Sequence, residues 1–443
     1  MKKILTLSLS ALLLSSVCIA QGSRMILTAN ALTLQPLFVS DATERLRVRL
    51  SQKFHLYLTR SSAEKADNER QHLLGATVAV QYVDRESMKA LEVPKWNVSL
   101  AEHADWIIPE LRNNAIHYTI DEHNLALFIE ENTKKILPAP VDAVVLNVEK
   151  SDVIRGQVTG VPKDGYTLDA IAAATIVANA LEHGDGHVVV PVQKQEAQIF
   201  VSTPRGGYWL QHIATGRSEF SHSPLGRIAN VKKAINEKLN GVIIPAGSLF
   251  SFNDTLGGAI NGSNGWFESL IIVNASEMAS APGGGICQAA TTAFRAAVLA
   301  GLPIQKRVNH SLYVSHYEDF GVGIDATVFP GKQDLTFEND MAHDIVIVAH
   351  TEGDNAFVSF YGVPDGRTVA LDGPYFSKTA PSGLLFNNAQ LKINEIGWKK
   401  TVTYADSKVL ESNIVSRYKA LPKSLANEYA EPKGVAELVV PSI

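Results

Sequence analysis

The stretch Gly283-Gly-Gly-Ile-Cys-Gln-Ala-Ala-Thr-Thr292 is the most distinctive part of this 443-residue chain. Three glycines lead into an alanine-rich run that predicts a helix as far as Gly301. Cys287 then falls in the first helical turn, where unpaired backbone N–H groups and the helix dipole favour a thiolate. The only other cysteine, Cys18, lies in a predicted export signal, so the mature chain offers Cys287 no disulfide partner.

The predicted helix carries one polar stripe. At about 100° per residue, one angular sector holds Cys287, Gln288, Thr291, Thr292 and Arg295. Alanines and Phe294 cover the remaining surface, which predicts a largely buried helix with Cys287 at the exposed end of the stripe. Two interpretations stay open: Cys287 is a nucleophile, or it is a packing residue like many buried cysteines.

The glycines have a predicted role beside the thiol. They allow left-handed backbone angles and the close approach of a ligand, and their N–H groups are suited to stabilising an oxyanion. We therefore predict substrate contacts at Gly283, Gly284, Gly285, Gln288 and Thr291. A phosphate site is disfavoured because no Lys-Ser/Thr pair follows the glycines.

A cysteine nucleophile needs a base and a residue that orients the base. The segment Asn309–Tyr317 alternates as a strand, with His310 and His316 on one face, and Ile324–Phe329 returns with Asp325. His310 is the candidate base and Asp325 the candidate orienting carboxylate. A direct hairpin would bring His316 nearer to Asp325, so the choice of histidine stays open. No metal-ligand spacing of the paired-cysteine or HExxH type is present, so we predict neither a metal nor a cofactor.

The first 20 residues have the features of a signal peptide. Lys2 and Lys3 precede an apolar run that ends in small residues at Ala20. Removal of residues 1–20 changes the net charge from −5 to −7, because it removes both lysines. The mature chain has no basic patch of the nucleic-acid type and no later stretch long enough to span a bilayer. We expect an exported protein, periplasmic or cell-wall associated.

The remaining chain predicts an α+β fold with several domains. Residues 21–90 contain strand-like runs at Arg45–Leu50 and Ala76–Val83 around a charged loop, Ser61–Arg70. Residues 91–200 mix both element types. There we expect a short helix opened by a capping box at Ser99–Glu102, helices at Asp121–Ile136 and from Asp169 to Leu181, and strands at Ala143–Val148, Val153–Val158 and His187–Val192. A Gly/Ser/His-rich joint is expected at Ser202–Gly226, and a β-rich extension at 364–443.

The order of elements in 91–200, with Trp96 and the Gly165-Tyr-Thr-Leu-Asp169 turn, resembles a peptidoglycan-binding domain found ahead of other cell-wall modules. The match is spread over about a hundred residues without a sharp motif. An α+β spacer with no ligand is the alternative, because fold resemblance alone does not establish binding.

A sharper resemblance covers residues 224–363. After the helix Asn230–Leu239, the series of motifs comprises Gly257-Gly258, Gly265-Trp266, Gly283–Gln288, Arg307, Asn309-His310-Ser311, Asp325-Ala-Thr-Val328 and Tyr361-Gly362. In this order they resemble the VanW family of exported bacterial proteins, with a weaker continuation toward Tyr418. The resemblance implies a VanW-like domain with one helix buried against an antiparallel sheet, and cell-envelope biology. It also adds Arg307 and Ser311 to the candidate substrate contacts.

Two functions follow as hypotheses. The first is a thiol enzyme that acts on peptidoglycan stem peptides or cross-links by acyl transfer, as a hydrolase or transpeptidase. The second is a non-catalytic peptidoglycan-binding accessory protein in which Cys287 is a packing residue. The exposure of Cys287 and its contact with His310 distinguish the two.

Overall fold

The computed structural model describes residues 41–273 and 277–422, so the predicted signal peptide lies outside the described residues. The helices are α1 (Ala42–Phe54), α2 (Arg60–Leu74), α3 (Glu122–Ile136), α4 (Ala170–His183), α5 (Leu225–Lys233), α6 (Phe252–Leu256) and α7 (Ile286–Leu299). The strands are β1 (Thr77–Asp84), β2 (Trp96–Ser99), β3 (Ile107–Arg112), β4 (Ala115–Ile120), β5 (Ala143–Glu149), β6 (Arg155–Thr159), β7 (Gly165–Thr167), β8 (His187–Gln195), β9 (Ile199–Thr203), β10 (Gly206–Glu219), β11 (Ile243–Ile244), β12 (Leu249–Ser251), β13 (Glu268–Val273), β14 (Glu277–Pro282), β15 (Ile304–Lys306), β16 (Thr336–Glu338), β17 (Ile345–Glu352), β18 (Asn355–Gly362), β19 (Thr368–Phe376), β20 (Glu395–Thr403) and β21 (Val409–Arg417). The predicted α+β class is confirmed.

The chain forms two compact units, and residues 41–71 with 109–118 make up the described part of the first. Two sequence expectations are wrong here. Arg45–Leu50 belongs to helix α1, whose first turn is capped by Asp41, and Ser61–Arg70 belongs to helix α2. A six-residue alternation is too short to specify a strand, and charged residues form helices well when pairs such as Arg60–Glu64 at 3.0 Å lie one turn apart.

The second unit begins with a four-stranded sheet in the order β2-β1-β8-β7. Helices α3 and α4 start where predicted, because Asp121 and Asp169 accept hydrogen bonds from the first free N–H groups of each helix. The capping-box expectation at Ser99–Glu102 is wrong: Ser99 is paired with Thr77 in the sheet, and a 3₁₀ turn at Ala104–Trp106 follows instead.

A seven-stranded sheet in the order β11-β17-β18-β10-β9-β5-β6 continues through the segment expected to be a joint. Most of Ser202–Gly226 is strand β10, which pairs with β9 on one side and with β18 on the other. The sheet therefore combines strands from both sides of that segment. The domain limits stay predictions.

Helix α7 packs on the antiparallel strands β10 and β18 of this sheet. This packing confirms the predicted helix buried against an antiparallel sheet. Its alanines are fully buried, and β10 approaches it at Gly216, where a Cβ atom would lie 2.0 Å from the Thr292 carbonyl oxygen. Only glycine permits this separation of helix and strand.

Three smaller sheets follow in the second unit. Strands β12, β16 and β15 form one sheet, β13 pairs with β14, and the expected β-rich C-terminal region contains β19, β20 and β21. No helix in the described ranges has the length and apolar content to cross a bilayer.

Candidate active site at the start of helix α7

The three glycines set the backbone that leads from β14 into α7. Gly283 and Gly285 have positive φ angles of 90° and 112°, in the region that disfavours side chains. A Cβ on Gly284 would lie 2.7 Å from the carbonyl oxygen of Leu270. All three are buried, so their observed role is to fit a tight turn against β13, and their predicted contact with substrate stays a prediction.

Cys287 lies in the first turn of α7 and is only partly buried, unlike its neighbours in the helix. Its Sγ is 3.5 Å from Thr327 Oγ1 and accepts a hydrogen bond from the Val328 N–H at 3.5 Å. The thiol therefore faces the segment that follows Asp325, in a residue that keeps part of its surface exposed.

The Asp325 carboxylate is the most heavily bonded group of the site. It is 2% exposed, and Oδ2 accepts hydrogen bonds from the His310 backbone N–H at 2.8 Å and from its Nδ1 at 2.5 Å. Oδ1 accepts from the Tyr418 hydroxyl at 2.5 Å and from Arg307 Nη2 at 3.3 Å. Burial raises the pKa of this carboxyl, but the hydrogen bond and charge of His310, then Arg307 and Tyr418, outweigh burial and lower it. Asp325 is thus an anion.

His310 connects Asp325 to the thiol. With Nδ1 on the carboxylate, Nε2 is the ring nitrogen left to interact with Cys287. Burial acts to lower the pKa of His310, but the hydrogen bonds to Asp325 and Cys287 raise it well above its ordinary value. Burial likewise raises the pKa of the Cys287 thiol, but the hydrogen bond and charge of His310, with smaller contributions from Val328 and Thr327, lower it to about 7. The three groups form a Cys–His–Asp array suited to general-base and nucleophilic chemistry.

The strands expected at Asn309–Tyr317 and Ile324–Phe329 are absent, and the irregular backbone in their place determines the geometry of the array. Asn309–Tyr317 is irregular and ends in a 3₁₀ turn at Ser315–Tyr317, while 324–328 has no regular secondary structure and Phe329 forms only an isolated bridge with Gln333. The backbone of 324–328 is held by a hydrogen bond from the Thr327 N–H to the Val308 carbonyl at 2.8 Å and by side chains of α7. Arg295 donates to the Ile324 carbonyl at 3.0 Å, and Thr291 exchanges two hydrogen bonds with Ala326.

The choice between the two histidines is settled by this irregular path. His310 is 6% exposed and bonded to Asp325, whereas His316 is exposed in the 3₁₀ turn. Arg295 Nη2 accounts for the path, because it donates to the carbonyls of Tyr317 and Gly321 and so fixes the loop that replaces a direct hairpin.

Most of the polar stripe of α7 points into the protein. Gln288 accepts from Arg227 and donates to Ser218 and to the Glu219 carbonyl, and it is fully buried, as is Thr291. These side chains anchor α7, because their polar groups bond to other parts of the protein. Their assignment as substrate contacts stays a prediction.

Arg307 and Ser311, the two contacts implied by the family motifs, differ in setting. Arg307 donates to the Asp325 carbonyl at 2.6 Å and to Ser416 Oγ at 2.5 Å, so it helps to hold Asp325 in position. Ser311 is half-buried and its carbonyl accepts from the Lys419 N–H at 2.8 Å. Sequence reasoning missed Tyr418 as a partner of Asp325. The weak continuation of the motif series toward this residue was the available signal.

Across residues 41–273 and 277–422, no group of three or more His, Cys, Asp and Glu side chains is arranged to hold a metal ion.

Comparison with known proteins bears on the same region. Residues 226–361 match the family model described as VanW like protein. The chain carries a VanW-like domain. It is also similar to the uncharacterized protein YoaR of Bacillus subtilis (strain 168), with 28% identity over 249 residues that cover 55% of this chain and 75% of YoaR. No solved structure matches the chain significantly.

The VanW match includes Cys287, His310 and Asp325 but ends before Tyr418. It suggests a cell-envelope-related protein. Residues 91–200 lie outside the match, so their resemblance to a peptidoglycan-binding domain stays a prediction.

The thiol pKa gives a direct test of the array. Because only the thiolate reacts with iodoacetamide, labelling of Cys287 should rise with pH around a midpoint of about 7. Replacement of His310→Ala removes the group that favours the thiolate and leaves burial, so the midpoint should move to about 8.5 or higher. Mass spectrometry of the labelled peptide across pH measures both midpoints.

His316→Ala is the matched control, because His316 lies in the same loop but is exposed. It should leave the midpoint unchanged. A wild-type midpoint near about 8.5, or equal shifts in the two variants, would contradict the array.

Proposed function

We propose that this protein is an exported cell-envelope enzyme that uses Cys287 to transfer acyl groups in peptidoglycan peptides. Two facts carry the proposal: His310 lowers the pKa of the partly buried Cys287 thiol to about 7, and Asp325 accepts a hydrogen bond from Nδ1 of the same ring at 2.5 Å. The VanW match supplies the envelope setting.

The proposed reaction begins with attack of the Cys287 thiolate on the carbonyl carbon of a peptide amide. As the C–S bond forms, the negative charge moves to the carbonyl oxygen, and protonated His310 then gives its Nε2 proton to the departing amine. The C–N bond breaks and a thioester remains. Water or a second amine attacks the thioester, His310 accepts its proton, and the C–S bond breaks to give hydrolysis or transpeptidation.

Asp325 has a positioning role in this scheme. Its contact with Nδ1 fixes the ring so that Nε2 faces the thiol, and its charge stabilises the imidazolium that accompanies the thiolate. The carboxylate itself stays ionised, because His310, Arg307 and Tyr418 all favour its charged form.

Backbone amides at the helix start support the proposal further. The Ile286 N–H bonds to the Gly283 carbonyl and the Gln288 N–H to the Gly285 carbonyl. The N–H groups of Gly285 and Cys287 have no hydrogen-bond acceptor within the described ranges. Unpaired amides beside a nucleophile are the groups that stabilise a tetrahedral oxyanion.

Incubation of the mature protein with purified muropeptides tests the reaction. The wild type should convert cross-linked or stem-peptide species into products whose mass differs by one amide hydrolysis or exchange. The Cys287→Ala variant should give no product, because no other group of the array can form the thioester. Mass spectrometry of the muropeptides and of the intact protein follows products and acyl-enzyme together.

A matched control is Thr292→Ser. Thr292 lies on the same helix, is buried, and bonds to Ser218 at 2.7 Å, so the variant keeps that contact and full activity. Equal product patterns for wild type and Cys287→Ala would remove the enzyme proposal and favour the accessory function, in which the thiol only packs.

Export is part of the proposal and rests on Lys2, Lys3 and Ala20, which lie outside the described residues. The expected mature chain begins at Gln21.

We further propose that the segment 91–200 contributes peptidoglycan binding. It contains an aromatic cluster of the buried Trp106 and the half-buried Trp96, His103 and Phe128, with ring centroids 3.8 to 5.8 Å apart in the contacting pairs. Tryptophan commonly forms binding surfaces because it combines a large apolar area with a polar N–H.

Sedimentation with insoluble wall sacculi tests this binding. The complete mature chain is required, because an isolated 91–200 segment lacks β1, the partner of β2 and β8, and most of β9, which links β5 to β10. Wild type and Cys287→Ala should both pellet with sacculi, while Trp96→Ala should reduce the pelleted fraction. Trp209→Ala, which alters an exposed tryptophan of β10 outside 91–200, should have no effect. Recovery of the wild type in the supernatant at the level of an unrelated protein would refute the proposal.

A further inference from the structure

A second concave site lies along the C-terminal half of α7, away from the thiol. A cleft of about 580 Å³ is enclosed by Phe294 and Val298 of α7, by Ile304 of β15, and by the face of β20 and β21 that carries Lys400 and Ile414. Its volume is within the range of small-molecule sites. Cys287, His310 and Asp325 do not line this cleft.

Lys400 is the unusual residue of the cleft. It is 7% exposed, and the one hydrogen-bond acceptor of its Nζ in the described part of the chain is the Leu302 carbonyl oxygen at 3.2 Å. An ammonium group has three N–H donors, and buried charges are normally paired. Within the described ranges no carboxylate lies within 4 Å of Nζ.

The carboxylate whose charge acts on Lys400 already forms an ion pair with another residue. Asp340 acts on Lys400 through space, but its carboxylate is paired with Arg367 Nη1 at 2.8 Å. Burial lowers the pKa of Lys400 to about 8, so most of the population still carries a proton at neutral pH. The cleft thus holds a buried cation with unused donors.

The rest of the lining complements a peptide. Ile304, Leu410 and Ile414 supply apolar walls, and the first two keep exposed surface. At the rim, Asn413 Nδ2 donates to Asn387 Oδ1 at 3.2 Å, and this leaves the Asn387 amide nitrogen and the Asn413 amide oxygen without a partner among the described residues. One donor and one acceptor side by side match the two polar groups of a peptide bond.

We propose that this cleft binds the carboxylate end of a short peptide, with the carboxylate on Lys400 Nζ and an apolar side chain against Ile304 and Leu410. The ligand provides Lys400 Nζ with the ion-pair partner that it lacks among the described residues, since Glu411, which also lines the cleft, forms no ion pair with it. Binding of this kind does not depend on acyl transfer by Cys287.

The test uses the complete mature protein and two probes, N-acetyl-valyl-alanine and its C-terminal amide, measured by isothermal titration calorimetry. The acid should bind about tenfold or more tightly than the amide, as expected for a hydrogen bond to a charged group. Its affinity should fall as the pH rises through about 8, where Lys400 loses its proton. Lys400→Met should abolish the difference between acid and amide.

Lys399→Met is the matched control. Lys399 is the neighbouring lysine of β20, but its Nζ bonds to the Leu385 carbonyl at 2.6 Å and it does not line the cleft. This variant and Cys287→Ala should bind the acid as the wild type does, so a failure of the acyl-transfer proposal leaves this result unchanged. Equal affinity for acid and amide, or no saturable binding of either, overturns the proposal.

Chemical labelling keeps the test decisive if Lys400→Met does not fold. In the wild type, acetic anhydride should acetylate Lys400, and the acid probe should protect it while the amide probe does not. Acetylation of Lys400 that is the same with and without the acid probe contradicts the proposal.

Discussion

The buried carboxylate of Asp325 is the constraint on which the site depends. An ion in this position would be strongly unfavourable without partners, and it receives four hydrogen bonds from His310, Arg307 and Tyr418. These donors come from the segment after β15 and from the end of β21. The hydrogen bonds to this one anion therefore join the VanW-like region to the C-terminal sheet.

The same carboxylate explains why a partly buried thiol can ionise near neutral pH. Burial alone opposes a thiolate, and the helix start with its unpaired amides is a modest compensation. His310 supplies the larger effect, since its pKa is raised by Asp325 and its positive charge then lowers the pKa of Cys287 to about 7. Loss of Asp325 would remove the support for both charges.

The sequence predicted the members of the array because their residue types and order carry the chemistry. It also predicted α7, since glycines, alanines and a polar stripe specify a buried helix that begins at a tight turn. It did not predict the path from His310 to Asp325. Alternation of apolar residues indicates an extended chain, but it does not show whether the backbone bonds to a strand or, as here, to the side chains of Thr291 and Arg295.

Contacts between residues far apart in the sequence account for most of the remaining differences between the predicted and the observed structure. Tyr418 lies 93 residues from Asp325, and no local pattern links the two. Gln288 and Thr291 look like site residues in a helical projection, yet they are buried because β10 and residues 324–328 pack against that side of α7. In α1, a short alternation of arginine with apolar residues resembled a strand, while the Asp41 cap and the Glu44–Arg47 pair favour the helix that forms.

The most direct test of the Cys–His–Asp array is a ¹⁵N NMR titration of the His310 ring in the complete mature protein. The account predicts that Nδ1 carries the proton in the neutral ring and that the pKa of His310 lies above its ordinary value of about 6.5, with a decrease in Asp325→Asn. A pKa of His310 at or below about 6.5 in the wild type, unaffected by Asp325→Asn, would contradict it.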